Sequence, residues 1–208
     1  MAGAVLSAAG IVLGVEPSAG GFDRLLFLTP DKGHLHVMSR PAKGLSSGAR
    51  PDLFDNAAIV AGVRQGGGMF LSEYSLLKRR AGIGAGYPLL AAASKWAAFV
   101  AANAPAMETT TDLFAITEKL LDSLDGGAAP GPALFKAFYL FARGEGLPAK
   151  EAWLAGLSGP RRIEALRLLT LPLGELTEAD GAAGAIFGEE ILRWMCAECD
   201  ISAPKTGA

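Results

Sequence analysis

Nine cations precede residue 81: Arg24, Lys32, Arg40, Lys43, Arg50, Arg64, Lys78, Arg79 and Arg80, against six carboxylates over the same stretch. The chemistry open to them is the neutralisation of phosphates. Arg40 and Lys43 lie in Ser39-Arg40-Pro41-Ala42-Lys43-Gly44, where Pro and Gly keep the backbone out of regular structure. Such a loop suits contacts that position a nucleic-acid strand without reading its sequence, and it equally suits the solvated end of a hairpin. From Ala81 onward ten cations face fifteen carboxylates, so the first part, at +3, is the better polyanion contact and the second, at −5, is acidic. The pI of 5.7 argues against a strong non-specific binder, because that affinity is built from many neutralised phosphates. Any binding of nucleic acid is expected to be modest and local.

No catalytic constellation accompanies these charges, and the chain reads as a non-enzyme without a cofactor. Gly82-Ile83-Gly84-Ala85-Gly86 lacks both the G-x-G-x-x-G spacing and a Walker lysine. Gly156-Leu157-Ser158-Gly159 misses the nucleophile-elbow spacing, and Ser158 reads as a cap or turn before Pro160. His34 and His36 share a strand face with no third ligand nearby. Cys196 and Cys199 fall on the apolar stripe of Leu192, which predicts packing of reduced thiols rather than zinc, for which four ligands are needed. The apolar run Ala4 to Val15 has no basic flank and is too short to span a bilayer, so it reads as the first strand.

Half of the 208 residues are apolar, enough for a sizeable core. Strands are expected over Ala9–Val15, Arg24–Thr29, His34–Ser39, Asn56–Val63 and Met69–Leu77, with turns at Glu16 to Gly21, Pro30-Asp31-Lys32-Gly33 and Gly66-Gly67-Gly68. Five strands with one long connection, Arg40 to Asp55, fit a five-stranded OB-fold barrel, although an SH3-like barrel has nearly the same pattern. Phe70 and Tyr74 could stack bases. A barrel this small needs its aromatics inside, so Phe70 reads first as core.

After Gly86 the period becomes helical. Leu89, Ala93, Trp96 and Val100 form one stripe, and Leu113, Ile116, Leu120 and Leu124 a second, capped by Thr111 or Asp112. A third helix starts near Pro132 and ends at Gly144, shorter patterns cover Ala149–Leu154 and Pro160–Leu169, and a last helix runs from about Ile186 to Glu198. Segment Gly174 to Gly184 reads as a loop. The expected organisation is therefore β + α in two domains: a nucleic-acid-binding domain over 1–80, a linker over 81–86, an all-α helical domain over 87–203 and a tail over 204–208. Arg143, Lys150, Arg161, Arg162 and Arg167 lie close in sequence to Phe138, Phe141, Trp153 and Leu154. An apolar pocket with cations on its rim would suit a partner's acidic, apolar-ended tail.

The first 80 residues resemble the N-terminal domain of RecO, the bacterial recombination mediator. The likeness rests on the turn leading to Phe22-Asp23, the apolar run Arg24 to Leu28, Thr29-Pro30-Asp31-Lys32-Gly33, and the loop Arg40-Pro41-Ala42-Lys43-Gly44-Leu45-Ser46-Ser47. It implies an OB-fold followed by a helical domain, binding to single- and double-stranded DNA, strand annealing, and work with RecR and single-stranded DNA-binding protein in loading RecA. The setting implied is bacterial, cytoplasmic and nucleoid-associated. Two departures stand out: the chain lacks the cysteine cluster that holds zinc in many relatives, and its third-strand loop is poorer in Lys and Arg. The alternative reading is an OB-fold protein-interaction adaptor with little or no DNA binding.

Overall fold

The structure is a computed structural model that describes residues 4–40, 50–64 and 66–204. They divide into a strand unit, Met1–Arg80 with Ala104–Phe114, and a helical unit, Ala81–Asn103 with Ala115–Ala208.

The strands are β1 (Ala4–Ser18), β2 (Phe22–Leu28), β3 (His34–Ser39), β4 (Asn56–Val63) and β5 (Met69–Lys78). β1 serves two neighbours: its first half pairs with β4 and its second half with β2, both antiparallel. The strand can turn between them because its bend is built from glycine. A Cβ at Gly10 would lie 2.1 Å from the Leu28 carbonyl oxygen, and the register shifts between Val12 and Gly14. The β2–β3 hairpin closes through Thr29, whose N–H and hydroxyl both donate to the Gly33 carbonyl, with Gly33 at φ +72°. Thr110, from the segment Ala104–Phe114, donates its hydroxyl to the Thr29 carbonyl at 2.7 Å. Val12, Leu25, Phe27, Val37, Ile59 and Tyr74 fill the interior.

The strand order is β1-β2-β3-β5-β4, with β4 returning to β1. Four of the five seams are long antiparallel ladders. The fifth is different in kind. β3 and β5 meet in parallel over two residue pairs, Val37 with Met69 and Met38 with Phe70, because β3 ends one residue later, at Ser39. Below that contact β5 runs along β4 with no ladder to β3. The five strands thus form one mixed sheet that closes on itself in this order, with the β3–β5 side joined by only those two parallel pairs, and a helical region follows.

The helical unit contains α1 (Tyr87–Asn103), most of α2 (Thr111–Asp125), α3 (Pro130–Gly144), α4 (Gly159–Thr170) and α5 (Glu178–Glu198), with a π-helical turn over Ala149–Leu154. Trp96, Phe99, Phe138 and Phe141 pack as one aromatic cluster, with ring centroids 4.9 Å apart for Phe99 and Phe141. α5 begins eight residues before the expected Ile186, inside a segment that reads as a loop from its glycines. Those glycines allow α5 to approach α3: a Cβ at Gly184 would lie 2.5 Å from the Pro132 nitrogen, and one at Gly131 2.3 Å from the Gly181 carbonyl oxygen. A capping box fixes the start, with the Thr177 hydroxyl accepting from the Asp180 N–H and the Asp180 carboxylate accepting from the Thr177 N–H. The Gly82 to Gly86 stretch forms a short 3-10 turn over Ala81–Ala85, with Ile83 buried and the Gly82 N–H donated to Asp125 Oδ1 at 2.7 Å.

Candidate nucleic-acid interface

At the β3–β5 seam four side chains gather on the outer face of the sheet. Phe70 pairs across the seam with Met38, and Met38 pairs with Arg24, so Phe70 sits one strand away from the start of β2. There the Phe22 and Phe70 rings meet edge to face with centroids 5.6 Å apart. Arg40 follows β3 one step beyond the Asp23–Ser39 pair and holds its guanidinium 4.9 Å from the Phe22 centroid. Arg64 follows β4, where its N–H is donated to the Gly68 carbonyl, and its guanidinium lies 4.1 Å from the Phe70 centroid. Both rings are half-buried and both arginines exposed.

Phe70 faces outward because of a bulge. Ala61 pairs with Leu71 and Val60 with Glu73, so Ser72 is an extra residue and the side-chain alternation of β5 reverses there. Leu71 and Tyr74 consequently point inward, while Phe70 points out. The reading of Phe70 as core is corrected, and Tyr74, 1 % exposed, is the aromatic that the interior takes.

The remaining cations of the strand unit are mostly engaged. Arg24 pairs with Glu16 directly across β1 and β2, and Lys32 with Asp31 at 2.7 Å. Arg79 clasps Asp55 with Nε at 3.1 Å and Nη2 at 2.9 Å, and donates also to the Arg50 carbonyl. Arg80, 3 % exposed, donates to the Phe54 carbonyl at 2.6 Å and to Asn56 Oδ1 at 2.7 Å. Asp55 is fully buried and also accepts from the Tyr74 hydroxyl at 2.8 Å; burial, then that bond to Asp55, pushes the Tyr74 phenol well above its ordinary range. Arg50 and Lys78 are exposed. Lys43 lies outside the described residues. Among the described residues, Arg40 and Arg64 have no carboxylate partner. What holds each is a ring face, a contact worth about 0.5–1 kcal/mol at an exposed site.

The helical unit sorts its cations the same way. Arg161 binds both carboxylate oxygens of Glu190, at 2.9 and 2.8 Å, and lies over the Phe187 ring. Arg162 donates to the carbonyls of Ala155 and Leu157, and Arg167 pairs with Asp180. That pairing, with the Thr177 bonds, holds the Asp180 carboxyl well below the usual range. Phe138, Phe141 and Trp153 are buried, at 0, 2 and 7 % exposure. These residues therefore do not assemble into one docking pocket. A groove of about 700 Å³ opens elsewhere, between α2, α3 and the end of α4, lined by Ile116, Leu120, Leu140, Leu166 and Leu173. Its lining carries Lys119, Lys136 and Arg143 and no carboxylate. Lys136 donates to the Leu171 carbonyl, and burial, then the neighbouring Lys119, lowers its pKa. Lys150 is exposed beside Arg143 around a smaller hollow. Sequence reasoning misses Lys119 and Lys136, since only the packing of three helices brings them to one groove.

Among the described residues no three His, Cys, Asp or Glu side chains are grouped to hold a metal, and no helix is long and apolar enough to cross a membrane. Cys196 and Cys199 are half-buried free thiols with pKa values raised by burial. No protein-family model matches the chain, and no curated protein matches it in sequence.

Proposed function

We propose that the protein is a non-enzymatic, RecO-type mediator of DNA repair and recombination, working in a cytoplasmic, nucleoid-associated setting. The strand unit captures single- and double-stranded DNA, and the chain anneals strands and cooperates with RecR and single-stranded DNA-binding protein in loading RecA. The observation that carries the DNA-binding part is the placement of Arg40 and Arg64, exposed and without carboxylates among the described residues, on the two rings at the seam. The docking part rests on the cationic, apolar groove of the helical unit, which suits the acidic, apolar-ended tail of single-stranded DNA-binding protein. Its cations are Lys119, Lys136 and Arg143 rather than Arg161 and Arg162, which are engaged within the unit.

Titration of the full chain with single-stranded DNA at two salt concentrations tests the reading. Binding that weakens steeply as salt rises is expected. The acidic balance of the chain and the same groove favour a second reading, an interaction adaptor with little DNA affinity. Absence of binding at low salt would select it.

A further inference from the structure

We infer that Phe22 and Phe70 form a stacking subsite for unpaired nucleobases, with Arg40 and Arg64 as the cations that move from the ring faces to the flanking phosphates. The inference rests on the DNA-binding reading above and adds to it which part of the polymer is held. Three observations lead there. The rings lie outside the buried cluster of the sheet and keep part of their surface exposed. Each guanidinium covers a ring without any carboxylate among the described residues to fix it, unlike Arg24 on Glu16 or Arg79 on Asp55. The two arginines flank the edge-to-face ring pair, one on each ring, so a base on either ring has a cation beside its sugar–phosphate.

An exposed guanidinium–ring contact is weaker than base–aromatic stacking, which raises affinity about tenfold or more per base. Exchanging one for the other is downhill, and it frees the cation for a charge-assisted bond to phosphate oxygen. A duplex keeps its bases stacked on each other and can offer only phosphates. The subsite therefore selects single strands.

The full chain is titrated by fluorescence anisotropy with oligothymidylate, with an abasic oligomer of equal phosphate count, and with duplex. Oligothymidylate is expected to bind about tenfold or more tighter than the abasic strand. Phe22→Leu and Phe70→Leu should each remove about that factor for oligothymidylate, leaving the abasic strand and the salt slope unchanged. A fluorescent purine analogue in the strand should be quenched on binding to the unsubstituted protein, a readout that needs no variant. Equal affinity for oligothymidylate and abasic strand, or no quenching, overturns the stacking inference while leaving phosphate capture intact. Failure of all three ligands to bind at low salt overturns both.

Discussion

The β4–β5 hairpin has two ends, each with arginines and an aromatic ring, and they differ in what the arginines touch. At one end Arg79 and Arg80 are spent on the Asp55 carboxylate, the Phe54 carbonyl and the Asn56 amide, with the Tyr74 hydroxyl closing the network on Asp55. At the other, Arg40 and Arg64 rest on the rings of Phe22 and Phe70. The same residue types stabilise a fold in the first case and, in the second, lie exposed on ring faces with no carboxylate among the described residues. A count of cations along the chain does not separate the two; their partners do.

The largest expected effect breaks the satisfied end. Asp55→Ala leaves the buried Tyr74 hydroxyl without its acceptor, at about 1–3 kcal/mol, and takes from the half-exposed Arg79 a two-point contact worth about 1 kcal/mol more. Chemical denaturation should show that destabilisation, while DNA affinity measured well below the melting temperature keeps its salt slope.

A second effect depends on pH and lies at the start of β3, away from Arg40. Burial, then the neighbouring His36, lowers the His34 pKa from 6.5 to about 4. The unfolded chain takes up this proton more readily than the folded one. Stability from this group is therefore full above pH 6.5 and lost as pH falls towards about 4. At 1.36 kcal/mol per pKa unit the loss is at most about 3 kcal/mol, and His34→Asn should flatten this part of a stability–pH curve.

Thr110→Val tests the tie between the helical connection and the β2–β3 hairpin. It leaves the buried Thr29 carbonyl without that donor, at a cost of about 1–2 kcal/mol in thermal or chemical unfolding. The smallest effect is expected for Arg24→Gln. Its exposed pair with Glu16 contributes about 0–1 kcal/mol, so melting should barely move.

Local signals in the sequence predict β3 and β4 to the residue, because turn residues bound each on both sides and β4 carries the β-branched Ile59, Val60 and Val63. β1 is legible as the apolar run Ala4 to Val15 but not over Glu16 to Ser18, which read as a turn and are strand because β2 lies beside them. The start of α5 is hidden by Gly181 and Gly184, whose purpose, close approach to α3, is a tertiary fact. Arg40 and Arg64 are legible as candidate cations. Their company is not: the Ser72 bulge that turns Phe70 outward and the two-pair seam that brings it to Phe22 are set by strand register. The partners that engage Arg79, Arg161 and Arg167 are likewise thirteen or more residues away in sequence.

The most direct measurement compares two double variants of equal charge, Arg40→Gln with Arg64→Gln and Arg24→Gln with Lys32→Gln, by salt-dependent titration with single-stranded DNA. Removing one cation from a phosphate lowers the slope by roughly one unit, so the first pair should lower it by about two and weaken binding tenfold or more. The second pair should leave slope and affinity close to those of the unsubstituted protein. Equal weakening by both pairs would mean that binding follows net charge alone, and that the seam with its two rings is not the site.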